Sequence, residues 1–190
     1  MTGNSDRAAA SGRRSPAAHQ LLLLRHTKSS RDDASLDDHD RPLAKRGRRD
    51  AAAIAEYLVH VAIVPDLVLC STSLRTRATL EPILIATRPR RTIFSRDLYL
   101  APASMMLRQL RETPEADRTV LMIGHNPGLH DLALMLADTE TLAELPQPSE
   151  KLPTGALVRF TFATAWRHLA PNRAHVADYA TPRGLADREQ

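Results

Sequence analysis

Short runs of consecutive apolar residues punctuate this chain, and between them the apolar positions recur at helical spacing. Leu21 to Leu24, Leu67 to Cys70 and Val120 to Ile123 are apolar throughout, the pattern of strands buried on both faces of a sheet. Ala156 to Phe162 reads as a fourth strand. In the intervals, Lys45 to His60 places Ala51, Ile54, Ala55 and Leu58 on one stripe and predicts an amphipathic helix. Arg75 to Ala86 and Met105 to Arg111 are two further helical segments. Pro82 lies inside the first of these and predicts a late start, a kink or a break, because proline removes a helix hydrogen bond and crowds the preceding turn. Pro127 to Ala137 carries the best helix signals: Pro127 suits a first turn, and Leu132, Met135 and Leu136 form an apolar face.

Strands alternating with helices predict an α/β fold, a three-layer α/β/α sandwich with a mainly parallel central sheet. Residues 19–170 are expected to form the domain. Residues 1–18, rich in Ala, Ser, Gly and Arg without apolar periodicity, cannot offset the entropy of ordering and are expected to be a disordered tail. The segment 139–153 holds three prolines and reads as a loop, and 171–190 reads as a weakly specified C-terminal tail. There is no internal repeat.

Composition narrows the function. At 43% hydrophobic and 25% charged, the 190 residues suit one globular domain with its own core. The net charge of +4 (26 − 22) comes half from the first twenty residues, through Arg7, Arg13 and Arg14 against Asp6. The remainder is mildly basic, which suits an anionic substrate. Aromatics at 4% leave few stacking platforms, so nucleic acid is not an expected partner. The single cysteine, Cys70, excludes an internal disulfide and a cysteine zinc cluster, and it is expected to be buried in its strand. No apolar stretch approaches the ~20 residues of a membrane span, so no membrane partner is expected. Arg13 and Arg14 precede Leu21 to Leu24, but that run is too short for an export signal and ends in Arg25. A cytoplasmic location is expected.

In open parallel sheets, ligands bind beyond the carboxyl ends of the strands. Leu21 to Leu24 ends in Arg25-His26-Thr27; Leu67 to Cys70 ends in Ser71-Thr72-Ser73 and then Arg75; Val120 to Ile123 ends in Gly124-His125-Asn126. Two arginines and two histidines thus meet at one edge, while His19, His39, His60, His130, His168 and His175 follow no such strand and are expected to be structural or solvent-exposed. Guanidinium forks match the oxygens of a phosphoryl group and stay charged, the task expected of Arg25 and Arg75. An imidazole attacks phosphorus through an unprotonated nitrogen, and nearby guanidinium charge disfavours the imidazolium, which suits His26 as nucleophile. Its other ring nitrogen then needs an acceptor, expected to be a backbone carbonyl. Helix amino ends after Ser73 and after Asn126 would add partial positive charge.

Arg25-His26-Thr27 resembles the Arg-His-Gly signature of the histidine phosphatase superfamily, which includes phosphoglycerate mutases and acid phosphatases. The closer resemblance is to the small SixA-like phosphohistidine phosphatases. It runs in order through Leu21 to Ser29, His39 to Leu43 with Gly47, Leu69 to Thr79, Asp97 to Ala101 and Ile123 to Pro127. The resemblance implies a phosphoglycerate mutase-like fold and a metal-independent hydrolase. In it His26 is transiently phosphorylated, and Arg25, Arg75 and His125 surround the phosphate. Thr27 stands where the family usually has glycine.

Larger members of the family protonate the leaving group with a carboxylate. Asp97 is the candidate here, following Ile93-Phe94 and preceding Leu98-Tyr99, with Asp38 and Asp40 beside Arg41-Pro42-Leu43 as rivals. General acid catalysis is worth roughly 10² to 10⁴ in rate, and matters most for an alkyl phosphate. It matters less for a phosphoramidate, whose nitrogen can already carry the proton. The resemblance implies phosphohistidine on a protein, or a related small phosphate, as the substrate. A general phosphomonoesterase or a non-catalytic phospho-ligand binding module is the alternative. A mutase-type transfer is disfavoured, because a compact chain has little sequence for the lid that excludes water. No metal and no cofactor are expected: HExxH is absent, and His125 and His130 have the wrong spacing for a helical ligand pair.

Overall fold

The computed structural model describes residues 18–147 and 150–188. The expected disordered tail, residues 1–18, lies outside them apart from Ala18. In chain order the described elements are β1 (His19–Arg25), α1 (Lys45–His60), β2 (Leu67–Ser71), α2 (Leu74–Thr87), β3 (Arg91–Ser95), α3 (Ala103–Arg111), β4 (Thr119–Gly124), α4 (Gly128–Leu136), β5 (Leu157–Phe162), β6 (His175–Ala180) and α5 (Pro182–Arg188). Short 3-10 turns at Asp38–Asp40, Arg96–Leu98, Leu142–Glu144 and Trp166–His168 punctuate the connections.

The continuous apolar runs become the middle of one six-stranded sheet in the order β3-β2-β4-β1-β5-β6. β3, β2, β4 and β1 are parallel, and β5 and β6 add antiparallel strands on the far side of β1. Successive strand residues face opposite ways, so Leu21 and Leu23 join one core with Met106, Leu129 and Leu132, while Leu22 and Leu24 join another with Ile54, Leu58 and Leu80. All four leucines are fully buried. Helices therefore cover both faces, and the predicted three-layer sandwich is the observed one.

The stripe expected on α1 is the buried one: Ala51, Ile54, Ala55 and Leu58, with Gly47 one turn earlier. A Cβ on Gly47 would stand 2.1 Å from the carbonyl oxygen of Lys28, so only glycine lets α1 approach the segment that follows β1. Gly128 plays the same part for α4, where a Cβ would stand 1.9 Å from the carbonyl oxygen of Ala101.

Two expectations need correction. α2 neither starts late nor breaks at Pro82 but runs from Leu74 to Thr87. Its buried Thr79, Leu80, Ile83 and Thr87 seat both halves of the helix, and this packing offsets the roughly 3 kcal/mol cost of an interior proline. The segment 171–190, expected to be a weakly specified tail, supplies β6 and α5. β6 pairs with β5, and Leu185 of α5 packs into the core shared with α1. The segment 139–153 remains a connection, with a 3-10 turn at Leu142–Glu144 and residues 148 and 149 outside the description. Cys70 is fully buried as expected, and burial pushes its thiol up to about 12, away from thiolate chemistry. Among the described residues, no helix is long and apolar enough to cross a membrane.

Candidate active site

Strand register decides which side chains meet. Arg25 of β1 lies opposite Gly124 of β4, and Cys70 of β2 opposite Ile123, so the residues that continue these strands emerge at one edge. α2 begins at Leu74, one residue before Arg75, and α4 begins at Gly128, three residues after His125. Both helix amino ends therefore open at this edge. Arg25, His26, Arg75 and His125, the four residues selected from strand ends, line one cavity of about 230 Å³. Lys28, Arg31, Asp38, Arg41 and Asn126 are also on its wall. A larger cleft of about 520 Å³ lies between α1 and α5, around Tyr57, His60 and Leu185. None of the strand-end residues reaches it, so size does not locate the chemistry.

His26 is 8% exposed, and its Nδ1 lies 2.7 Å from the carbonyl oxygen of Thr27. A carbonyl can only accept, so Nδ1 carries the proton and Nε2 is unprotonated. The expected backbone acceptor is thus the carbonyl of the next residue. Arg75 Nε donates to His26 Nε2 at 3.3 Å, and Arg75 Nη2 lies 3.3 Å from His125 Nδ1. Guanidinium has no acceptor, so His125 Nδ1 is unprotonated and its Nε2–H donates to Ser71 Oγ at 2.9 Å. Both imidazoles are neutral. Burial, with Arg75 and Arg25 adding to it against the opposing bond to Thr27, holds His26 down to about 4. Burial, His26 and Arg75 hold His125 down to about 3.

The backbone behind His26 is closed by Gly155, whose N–H donates to the carbonyls of Arg25 (3.1 Å) and His26 (3.2 Å) at φ 77°, a conformation that favours glycine. Thr27, in the position of the usual glycine, turns away from the cavity. It is fully buried and hydrogen-bonded to Thr79 through both its N–H and its Oγ1, each at 3.1 Å. The guanidinium of Arg25 donates to the carbonyl of Leu152, which also accepts from Asn126 at 3.0 Å. Arg25 Nε is buried without a hydrogen-bond partner among the described residues.

The structure separates the three carboxylate candidates. Asp97 lies in the 3-10 turn Arg96–Leu98, where Leu98 enters the core, while Asp97 is exposed and off the cavity wall. A turn of three residues points successive side chains in different directions; just after it, Tyr99 reaches Asp38 and packs edge-on against His125, and Leu100 lines the cavity. Asp40 is also off the wall, paired with His39 at 2.9 Å. The carboxylate at the site is that of Asp38, whose Oδ2 accepts from Arg75 Nη2 (2.8 Å) and from the Tyr99 hydroxyl (2.7 Å). Its Oδ1 accepts from Arg41 Nη1 at 2.9 Å. The Tyr99 hydroxyl, then Arg75 and Arg41, hold the Asp38 carboxyl down to about 2 against its partial burial. His39 was not singled out for the site either, yet its Nε2 lies 3.0 Å from Thr72 Oγ1 and its ring packs edge-on against Tyr99. Tyr99 and Ser71 carried no signal beyond proximity to residues already chosen. Among the described residues, no three His, Cys, Asp or Glu side chains converge so as to hold a metal ion.

The family model for the histidine phosphatase superfamily (branch 1) matches residues 21–98, and the chain belongs to that superfamily. The family and its solved structural neighbours together support phosphatase activity. The uncharacterised protein Rv1276c of Mycobacterium tuberculosis H37Rv is 33% identical over 162 residues, 84% of this chain and 100% of its own. Two solved structures share the fold with a TM-score of 0.73. One is a proposed phosphohistidine phosphatase SixA from Nakamurella multipartitia, 28% identical over 87% of this chain and 96% of that one. The other is its counterpart from Agrobacterium tumefaciens, 26% identical over 86% and 98%. The chain is thus SixA-like in fold.

Proposed function

We propose that the protein is a metal-independent phosphatase that hydrolyses phosphohistidine on a partner protein through a phospho-His26 intermediate. The observation that carries this reading is the state of His26: Nδ1–H tied to the Thr27 carbonyl, and Nε2 unprotonated, next to Arg75. Attack forms a bond from Nε2 to phosphorus as the bond to the leaving nitrogen breaks, its electron pair returning to that nitrogen. Water then attacks phospho-His26, releasing phosphate and restoring the imidazole. Arg25 and Arg75 neutralise the phosphoryl oxygens, the buried Arg25 Nε being a donor still to be used. His125 offers Nδ1 as an acceptor to Arg75, so it donates to a phosphate oxygen only after taking up a proton or exchanging tautomer with Ser71. A bound dianion favours that uptake.

Phosphohistidine is preferred to an alkyl phosphate because, among the described residues, no cavity-lining carboxyl is poised to donate a proton, Asp38 being held ionised. The two solved SixA structures, both described as proposed phosphohistidine phosphatases, support the same preference. Lys28, Arg31 and Arg41 at the cavity mouth suit a phosphorylated partner. A cytoplasmic setting is part of this reading, since the run after Arg13 and Arg14 is the central strand β1 rather than a free apolar segment. The test uses EDTA-dialysed protein and phosphohistidine labelled at phosphorus. Label is expected on His26 and phosphate in solution, with both absent in His26→Ala. Turnover by that variant, or activity that EDTA removes and a divalent ion restores, would overturn the reading.

A further inference from the structure

The site contains one group that a simple phosphate cradle would avoid. Asp38 is the single carboxylate among the described residues lining the cavity, and it occupies a guanidinium nitrogen that could serve phosphate. A fixed anion there repels a phosphate dianion. Yet the carboxylate is held in place from three sides, by Arg75, by Tyr99 and by Arg41, and Arg41 is itself anchored on the carbonyl of Ser30 at 2.9 and 3.0 Å. Its side chain is still 49% exposed, so it has accepting capacity left on the cavity side.

We propose that Asp38 is the specificity-determining residue of this site, its carboxylate accepting the N–H of a protonated phosphorylated imidazole and so selecting phosphoramidates over phosphate esters. The inference rests on the phosphatase reading above and adds how the leaving group is chosen. A phosphorylated imidazole protonated on its other nitrogen needs no acid: the electron pair of the broken P–N bond returns to the ring, the proton stays where it was, and neutral imidazole departs. Asp38 holds that proton and the positive charge that goes with it. An alkyl ester departs well only if its oxygen receives a proton, and an ionised carboxylate has none to give. The same charge thus helps one leaving group and hinders the other.

A carboxylate that merely positioned Arg75 would act on both substrates alike, which separates the two roles. Asp38→Asn keeps the shape and removes the charge. Its kcat/KM for phosphoimidazole is expected to fall roughly tenfold to a hundredfold, the worth of a hydrogen bond to a charged group. For an aryl phosphate kcat/KM should fall by much less, so that the ratio of the two substrates drops, and inorganic phosphate should bind more tightly in calorimetry. Tyr99→Phe, which retains the charge but loosens it, should shift the ratio of the two substrates in the same direction by less, and carries the test if Asp38→Asn fails to fold. Equal losses on both substrates, or weaker phosphate binding, would overturn the proposal. A wild-type protein that hydrolyses neither substrate would instead overturn the phosphatase reading, while the phosphate-binding comparison, which needs no turnover, still tests the charge of Asp38.

Discussion

Acidification should destabilise this fold through its cavity imidazoles well before the carboxylates at its surface are protonated. In the unfolded chain His26 takes up a proton near the ordinary value of 6.5, whereas in the folded protein burial and the two guanidiniums hold it down to about 4. Between those values the unfolded state binds more protons, so stability rises with pH across the window. The contribution of neutral His26 is fully present above 6.5 and is lost as pH falls toward 4. A shift of 6.5 − 4 = 2.5 units corresponds to about 3 kcal/mol. That is a large fraction of the roughly 5–15 kcal/mol that holds a domain together. His125 shifts in the same direction, to about 3, but each imidazole depresses the other's protonation, so their contributions do not simply add. Urea unfolding at steps from pH 7 to 4.5 should show a steeper loss in wild type than in His26→Gln, and proton NMR should follow the His26 ring directly. The acid limb of kcat/KM should fall near pH 4 rather than 6.5. A His26 ring that titrates near 6.5, or equal pH slopes for wild type and variant, would refute this account.

Gly128→Ala should destabilise the fold by about 3 kcal/mol in urea unfolding, because its Cβ would stand 1.9 Å from the backbone oxygen of Ala101 with no side chain able to give way. An unchanged midpoint would mean that α4 can shift away from the segment before α3. Asp97→Asn should leave kcat/KM on phosphohistidine and on an aryl phosphate within about twofold of wild type, the range of a surface substitution. A selective loss on the ester would return Asp97 to the chemistry despite its exposed position.

How much of this was legible in the chain follows from how local each determinant is. Unbroken apolar runs fix a strand as buried on both faces whatever its neighbours, so β1, β2 and β4 could be read directly, and with them the edge where Arg25, His26, Arg75 and His125 emerge. The stripe of α1 was equally legible, since helical spacing is a property of the segment itself. The edge strands β3 and β6 were not. Arg91–Ser95 is largely exposed and His175–Ala180 mixes polar and apolar positions, so their pairing depends on the neighbouring strand rather than on burial of their own. Pro82 misled for a related reason: propensity is local, but the packing that carries α2 across the proline is tertiary.

At the site the same division holds. Residue types at strand ends pointed to phosphate, because a strand end is defined by its own sequence. Which carboxylate reaches the cavity depended on the path of the 38–41 loop and on one turn of 3-10 helix, which bring Asp38 and Tyr99 together across 61 residues of chain and send Asp97 outward. The tautomer of His26 is set by the carbonyl of its own neighbour Thr27, but that of His125 by the distant Arg75 and Ser71, and burial that only the folded sheet provides holds both rings neutral. Side-chain chemistry is written in the residue, but its pKa and its aim are properties of the packed environment.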